Sequence, residues 1–390
     1  MTEVVERVPF QTVRNLLRMG EVLPFSVLDP QGRLLLNAGQ RLVDDAQFDA
    51  LVDRGAWADR ALVEAERLRQ LQAEAEGKNW APATLIPSRF DHWERSLWLY
   101  DKISRGLARG EINGGAIPPL WNTLKAQIDT DPDAALYLCL RYSERRFALY
   151  AQHHAVHCAV VSLLAARALG WTAEAIDALG CAALTMNIAM LELQAQLAEQ
   201  DDPPSARQRE RIQAHPEAAV ALLRKAGVTD ALWLDTVLHH HHNPGGTGYP
   251  KGLKGPAPET ARLLRMADVY MAKISPRAKR PAMTPVMAMR QLFQQNPKDV
   301  LAGAMVKAMG VHPPGALVEL QSGEIAVVIH RPASGTQPLV ATLSDRQGRP
   351  IADTHRRDCA QAEFAIKAPL EDTRRFPRVL PERVYGFIAP

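Results

Sequence analysis

The stretch from Arg89 to Val311 constrains this chain most, because its apolar side chains recur at three- and four-residue spacing. That spacing places them on one face of a helix, as in HAVHCAVVSLLAARALG, AEAIDALGCAALTMNIAMLEL and HPEAAVALLRKAG. Glycines stand where helix C-caps belong, at Gly170, Gly227 and Gly310. The pattern predicts a mainly α protein whose central domain is nearly all helical.

The two flanks of this tract differ from it. The N-terminal flank contains a predicted hairpin with a turn at 29–32 and a short helix that ends at Gly55. Two more hairpins are predicted near the C-terminal end. We predict a small α/β N-terminal module, connecting helices, a helical domain and a small β-rich extension, at residues 1–60, 61–130, 131–312 and 313–390.

Strong helix formers with a narrow apolar stripe occupy Arg60–Lys78. This segment is either a connecting helix or the seam of a homodimer, and a solvated linker is the alternative.

The composition limits what the chain binds and where it works. Hydrophobic residues make up 47% and charged residues 23%, which is typical of a soluble globular protein. A net charge of +3 argues against a nucleic-acid partner. The four cysteines are scattered, as in proteins of a reducing compartment. We find no signal sequence and no apolar run near 18 residues, so we expect a cytoplasmic protein without a membrane span.

Histidines and one aspartate fall at positions from which several helices can deliver them to one point. They are His154 and His157 on one helix face, His215 before Pro216, the quartet His239–His242 at a helix end, and Asp268 in an apolar helix. Pro216 is suited to the first turn of a helix. Imidazoles and carboxylates converging in this way predict a metal centre. Hydrogen-bonded structural histidines are the alternative.

These residues lie in motifs that resemble the HD-GYP family, bacterial cyclic di-GMP phosphodiesterases among the HD hydrolases. The motifs span roughly Tyr150–Gly310, about 40% of the chain, and read YAQHHAVHCAVVSLLAARALG, AALTMNIAM, AHPEAAVALL, LHHHHNPGGTGYPKGLKG and ARLLRMADVYMAKISPRAKR. The GTGYPKGLKG element is the most specific. The resemblance implies an all-helical HD-type domain, a divalent metal centre and a cyclic dinucleotide ligand.

The resemblance also assigns roles to single residues. It places metal ligands at His154, His215, His240, His241 and Asp268, with His242 as an additional candidate. It places the signature loop at Tyr249 and Pro250, and substrate-phosphate contacts at Arg277 and Arg280.

Several positions depart from the family pattern. Where the family has His-Asp-x-Gly-Lys, this chain has Met186 and Asn187, with Met190 in place of the lysine. Met271 replaces the second aspartate of the helix after the loop, and His242 replaces a glutamate. We therefore assign no catalytic residue, because the family's catalytic positions are occupied by Met186, Asn187 and Met190.

These departures predict lost or strongly reduced phosphodiesterase activity. Phosphodiester hydrolysis in such a site uses two metals, and the aspartate of the His-Asp pair bridges them. An asparagine offers only a neutral oxygen, and a thioether has little affinity for hard or borderline ions. His215, His240 and His241 can still hold one Zn²⁺, Fe²⁺ or Mn²⁺. Histidines without any metal are the alternative.

The glycine-rich loop that contains GTGYPKGLKG predicts which binding function the chain retains. Its glycines leave backbone N–H groups able to face an anion, and arginines match phosphate geometry. The alternative to an anion-binding site is an ordinary solvated basic surface. We expect a non-catalytic signalling protein that binds cyclic di-GMP or a related nucleotide, or that docks diguanylate cyclase (GGDEF) domains. The alternatives are an active, divergent metal-dependent phosphodiesterase with a rebuilt histidine site, and an adaptor whose terminal modules do the work.

Overall fold

The structure is a computed structural model that describes residues 6–77, 88–141, 146–242, 248–250, 257–277, 282–332, 337–370, 376 and 381–386. The chain divides into two compact units. The first comprises the described residues up to Lys102 together with 146–150. The second comprises the described residues of Ile103–Glu144 and Ala151–Phe387. The domain boundaries given above stay predictions.

The first unit is a small antiparallel sheet with helices. Its strands lie in the order β1-β4-β2-β3 and are β1 (Arg7–Pro9), β2 (Val27–Leu28), β3 (Leu34–Leu36) and β4 (Trp57–Asp59). Its helices are α1 (Asp45–Asp53), α2 (Arg60–Ala75) and the first part of α3 (Arg89–Arg109). The core includes Phe10, Phe25 and Leu51, all fully buried or nearly so.

The predicted hairpin is β2 and β3, and its turn has a clear cause. The Asp29 carboxylate accepts hydrogen bonds from the backbone N–H groups of Gln31 and Arg33, at 3.0 and 2.8 Å. Gly32 adopts a φ of +83°, which a residue with a Cβ rarely tolerates. The sequence Asp-Pro-Gln-Gly therefore supplies both the side-chain acceptor and the left-handed residue.

The second unit is mainly helical. After the end of α3 its helices are α4 (Ile117–Thr130), α5 (Pro132–Leu140), α6 (Tyr150–Ala168), α7 (Ala173–Thr185), α8 (Leu191–Glu199), α9 (Ala206–Lys225), α10 (Ala231–His239), α11 (Glu259–Ile274), α12 (Pro285–Gln295), α13 (Val300–Met309) and α14 (Pro381–Tyr385). Gly170, Gly227 and Gly310 all have positive φ, which confirms the predicted helix ends.

Two helix predictions were wrong in detail. The segment predicted as one helix around Met186–Met190 breaks there into α7, a 3-10 turn and α8. Asparagine is disfavoured in a helix interior. The Asn187 carbonyl instead accepts a hydrogen bond from the Met190 N–H at 2.9 Å, which closes a turn. The helix expected to start at Pro216 begins at Ala206, so Pro216 lies in its interior. Ser205 and Gln208 form a capping box that fixes this earlier start.

Close packing of α4 against α7 depends on one glycine. A Cβ built on Gly180 would lie 2.1 Å from the Trp121 ring, so no larger residue fits without movement. The same indole donates a hydrogen bond from Nε1 to Asp177 at 2.9 Å. This contact anchors α7, which carries the chain to Met186 and Asn187.

The C-terminal part of the second unit is a five-stranded antiparallel sheet in the order β8-β7-β6-β5-β9. Its strands are β5 (Leu317–Leu320), β6 (Ile325–His330), β7 (Leu339–Thr342), β8 (Arg356–Asp358) and β9 (Ile366–Pro369). Along the chain, a long helical region separates two small antiparallel sheets. This order confirms the mainly α class and the β-rich C-terminal region.

One apolar segment among the described residues is long enough to cross a membrane. It is Ala173–Glu199, which comprises α7, the 3-10 turn and α8, with a mean hydropathy of 1.4. Because 78% of its most apolar window is buried within the protein, it has the burial of core helices.

Candidate metal and nucleotide site

Three histidines from two neighbouring helices converge on one point. His215 lies in the middle of α9, and His240 and His241 follow the last residue of α10. The Nε2 atoms of His215 and His240 are 3.0 Å apart, and the rings of His240 and His241 have centroids 4.2 Å apart. One ligand nitrogen from each residue lies within 4.8 Å of the others. We call this group the three-imidazole cluster.

Pro216 explains why His215 points as it does. Proline has no N–H, so the Ile212 carbonyl, which would accept from residue 216 in a regular helix, lacks that donor. The His215 Nδ1 takes its place and lies 2.6 Å from this carbonyl oxygen. In the same way the His240 Nδ1 lies 2.6 Å from the Val237 carbonyl oxygen. Since a carbonyl only accepts, each Nδ1 carries a proton and each neutral ring offers its Nε2 lone pair to the cluster.

Burial keeps these imidazoles neutral. It lowers the pKa of His215 to about 3, with a further contribution from His240. It also lowers the pKa of His240, and burial next to the His240 imidazole puts the pKa of His241 well below its usual range. Two neutral lone pairs therefore face each other at 3.0 Å without a shared proton. A divalent cation bound by the Nε2 atoms fits this arrangement, because three imidazoles are a common zinc donor set.

A second group brings α6 and α11 together. The His154 Nε2 lies 2.7 Å from an Asp268 carboxylate oxygen, and the Cys158 sulfur lies 3.6 Å from the same nitrogen. Burial alone would raise the pKa of Asp268, but the His154 hydrogen bond and the nearby imidazoles bring it below its ordinary value. We call this group the thiol cluster. The five predicted ligands thus fall into two clusters, with Asp268 close enough to influence the pKa of His215 and His241.

Four of the positions that depart from the family pattern are buried. Met186 and Met271 have no exposed surface, Met190 is 8% exposed and Asn187 is 3% exposed. Among the described residues, the Asn187 Oδ1 has no hydrogen-bond partner. A buried amide oxygen without a donor normally destabilises a protein, so this position is chemically unusual.

Two other predicted histidines lie outside both clusters. His242 donates its backbone N–H to the His239 carbonyl at 2.7 Å, and its ring lies 6.0 Å from that of His239. His157 is buried beside His153, with ring centroids 5.6 Å apart. Burial and the charges of the two neighbouring histidines put the pKa of His157 well below its ordinary value. Neither joins a group of ligand atoms among the described residues.

The signature loop meets the three-imidazole cluster through an aromatic ring. Tyr249 stacks on His241, with ring centroids 4.5 Å apart and an angle of 28° between the planes. Pro250 is buried, and Arg277 is half-buried just after α11. Arg280 and the loop residues 243–247 and 251–256 lie outside the described residues. The ring stack places the described part of the loop directly on the cluster.

Sequence reasoning missed two residues near these clusters. Cys158 lies four residues after His154 on α6, so helical spacing alone could have identified it. Arg265 lies three residues before Asp268 on α11 and is half-buried. Burial is the main cause that lowers the pKa of His241, and the charge of Arg265 lowers it further. Arg265 therefore adds a fixed positive charge close to the stacked pair.

Comparison with known proteins identifies an HD domain in this chain. Residues 142–299 match the family described as HD domain. A 123-residue segment is 35% identical to the cyclic di-GMP phosphodiesterase PA4108 of Pseudomonas aeruginosa. This match covers 31% of the chain and 30% of PA4108, so the chain spans less than a third of that relative.

A solved structure is also similar. It is that of Bd1817, a HDG"Y"P protein from Bdellovibrio bacteriovorus, with a TM-score of 0.50 and 14% sequence identity. The likeness covers 77% of this chain and 98% of the Bd1817 chain. At this identity it concerns the fold alone.

Proposed function

We propose that this chain, whose residues 142–299 match the HD domain family, is an HD-GYP protein that acts in cyclic di-GMP signalling with lost or strongly reduced phosphodiesterase activity. It works by binding the nucleotide or by docking a protein partner. Its place of work is the cytoplasm. The observation that carries this proposal is the buried thioether and amide at Met186 and Asn187, where the resemblance puts a metal-binding imidazole and a bridging carboxylate.

The chemistry of these two side chains argues against a bridged pair of metals. Two adjacent dications need anionic ligands to offset their repulsion in a partly dry pocket. Asn187 offers a neutral oxygen, and Met186 offers a soft sulfur that hard ions bind poorly. Met271 removes a further carboxylate. Since cooperating catalytic groups fail as a unit, the loss in rate is expected to be many orders of magnitude.

The three-imidazole cluster supports the binding of a single divalent ion, Zn²⁺, Fe²⁺ or Mn²⁺. HD-family phosphodiesterases are metal-dependent. His215, His240 and His241 would hold the ion. A bound ion would supply a Lewis acid able to polarise a phosphate oxygen. The backbone carbonyls of Ile212 and Val237 hold two of these rings in the orientation that such binding requires.

Nucleotide binding is supported by the groups around Tyr249. Its ring stacks on His241, and the charge of half-buried Arg265 on α11 acts on the Tyr249 hydroxyl. Half-buried Arg277 follows the end of α11. Guanidinium groups match phosphate oxygens, so these cations and Arg280 would hold the phosphates of cyclic di-GMP or a related nucleotide. The same surface is where a GGDEF-domain protein would dock.

A homodimer remains part of the proposal. The side chains of Leu62, Leu68 and Leu71 on α2 support it, because they are large, apolar and exposed. Burying leucines between two copies would remove this apolar surface from water.

One observation favours an active enzyme as the second candidate. Neutral Nε2 lone pairs converge in the three-imidazole cluster, and three imidazoles with an open fourth position also occur in mononuclear hydrolytic sites. On this alternative the chain is a divergent metal-dependent phosphodiesterase or phosphohydrolase.

Hydrolysis separates the two candidates. Purified full chain is incubated with cyclic di-GMP or its linear product pGpG, with Mn²⁺ or Fe²⁺ supplied, and products are followed by chromatography. We expect no turnover. Brisk cleavage that is lost on His240→Ala would establish the enzyme and refute the proposal.

Binding is measured separately by calorimetry. We expect heat of binding with cyclic di-GMP and its loss in the double variant Arg277→Ala, Arg280→Ala. Arg290→Ala, an exposed cation on α12, is the matched control and should bind normally. If the nucleotide does not bind, docking is tested by co-purification with a GGDEF domain. Absence of both interactions would leave the adaptor hypothesis.

A further inference from the structure

We propose that His154, Cys158 and Asp268 form a second cation site, a thiolate-containing one that takes a thiophilic divalent ion such as Zn²⁺. The resemblance assigns metal roles to His154 and Asp268 but none to Cys158. The site does not depend on the proposed signalling role, because it concerns the ions that the chain holds and not what they do to a nucleotide.

The geometry brings three different donor atoms together. His154 and Cys158 are four residues apart on α6, so their side chains emerge from the same face of the helix. Asp268 approaches from α11. An imidazole nitrogen, a sulfur and a carboxylate oxygen all lie within 4.8 Å of one another. Donors around one tetrahedral ion lie at comparable mutual distances, so small side-chain movements suffice to admit it.

Burial and charge favour an ion at this position. His154 is 3% exposed, Cys158 is fully buried, and the side chain of Asp268 is 14% exposed. A thiolate and a carboxylate together neutralise a dication, so a buried ion at this site needs no further counter-charge. The three-imidazole cluster contributes no negative charge of its own. The two clusters therefore differ in kind, and the thiol cluster suits the softer ion.

Binding changes the protonation of the site in a defined way. The sulfur–hydrogen bond of Cys158 breaks, a sulfur–metal bond forms, and the proton goes to solvent. The His154 Nε2 gives up the proton that now faces Asp268 and the Nδ1 of the same ring takes one up, so the ring stays neutral and the net release is the thiol proton. The ion takes the place of the hydrogen bond between His154 and Asp268. No oxidant or reductant is needed.

Cobalt provides a direct test, because a cobalt–thiolate bond produces a charge-transfer absorption in the near ultraviolet. Full chain stripped with a chelator is titrated with Co²⁺. We expect the band in the wild type, its loss in Cys158→Ser, and its retention in Cys181→Ser. Cys181 is the matched control, since it is also a buried free cysteine but lies on α7 outside both clusters. His240→Ala should also keep the band, although it disables the three-imidazole cluster.

The possible outcomes separate cleanly. A band absent from the wild type, or present in Cys158→Ser, overturns the proposal. If Cys158→Ser does not fold, the wild type decides. Adding Zn²⁺ in weak buffer should release about one thiol proton per chain, whereas neutral imidazoles release none. Absence of proton release overturns the proposal. The hydrolysis assay is unaffected by either result, so failure here leaves the proposed function standing.

Discussion

Replacing Pro216 with alanine should stabilise the protein and weaken the three-imidazole cluster at the same time. Pro216 lies inside α9, where proline costs about 3 kcal/mol relative to alanine. Alanine restores the N–H that bonds to the Ile212 carbonyl. That N–H competes with the His215 Nδ1, whose bond to the same oxygen is 2.6 Å long. Losing this bond costs about 1 kcal/mol, so the net gain is ~2 kcal/mol.

The effect on metal binding has the opposite sign. When Nδ1 no longer has a fixed acceptor, the His215 ring rotates and its Nε2 is less well oriented. Partners of this kind typically change metal affinity by 10- to 100-fold, and because a carbonyl oxygen can accept two bonds we expect about 10-fold. Stability is measured by urea denaturation of apoprotein. Zn²⁺ affinity is measured by competition with a coloured chelator in a Cys158→Ser background.

Pro285→Ala is the matched control. Pro285 lies in the first turn of α12, where its missing N–H has no helical partner, so neither stability nor affinity should change appreciably. A Pro216→Ala protein that binds Zn²⁺ as tightly as its parent would refute the argument that proline orients His215. A fall in stability would refute the argument that proline strains α9.

Three further predictions concern catalysis, pH and packing. Met186→His with Asn187→Asp should not restore full phosphodiesterase activity, since two methionines still replace family residues; turnover equal to that of an intact relative would contradict this. Apoprotein stability should fall as pH drops from 6.5 to about 3, because unfolded His215 takes up a proton that the folded chain refuses. His215→Asn should reduce that slope in denaturation curves by ~1.4 kcal/mol per pH unit. Gly180→Ala should destabilise the protein by about 1–3 kcal/mol through the indole clash, whereas exposed Gly303→Ala should stabilise it by about 0.5–1 kcal/mol; thermal melts that show the reverse order would disprove this.

The sequence predicted the elements whose signals are local. The Asp29–Gly32 turn, the end of α1 before Gly55 and the three helix-ending glycines depend on residues next to each other in the chain. Hydrophobic spacing likewise identified the helical tract. The resemblance to the HD-GYP family came from motif spacing, which is also a property of the chain alone.

Features that depend on competition between neighbours were harder to predict. Proline is favoured in a first helical turn and disfavoured in a helix interior, but the capping box at Ser205 starts α9 earlier and leaves Pro216 inside it. The break after α7 depended on how Asn187 satisfies its own backbone. The division of ligands between two clusters depends on which helix faces meet, and that information is not in any one segment. Cys158 was overlooked because the search for ligands followed histidines and carboxylates, although its spacing of four residues from His154 was visible in the sequence.

The sheet order has a consequence for how this protein is made. Strand β9 covers the edge of β5, although β6, β7 and β8 are all translated between them. During synthesis β5 can pair with β6 at once, but its other edge stays open until β9 leaves the ribosome. An open edge can recruit strands from other chains. The segment around Ile366–Pro369 thus serves as a late seal, and a ribosome that stalls before it would release a chain prone to self-association.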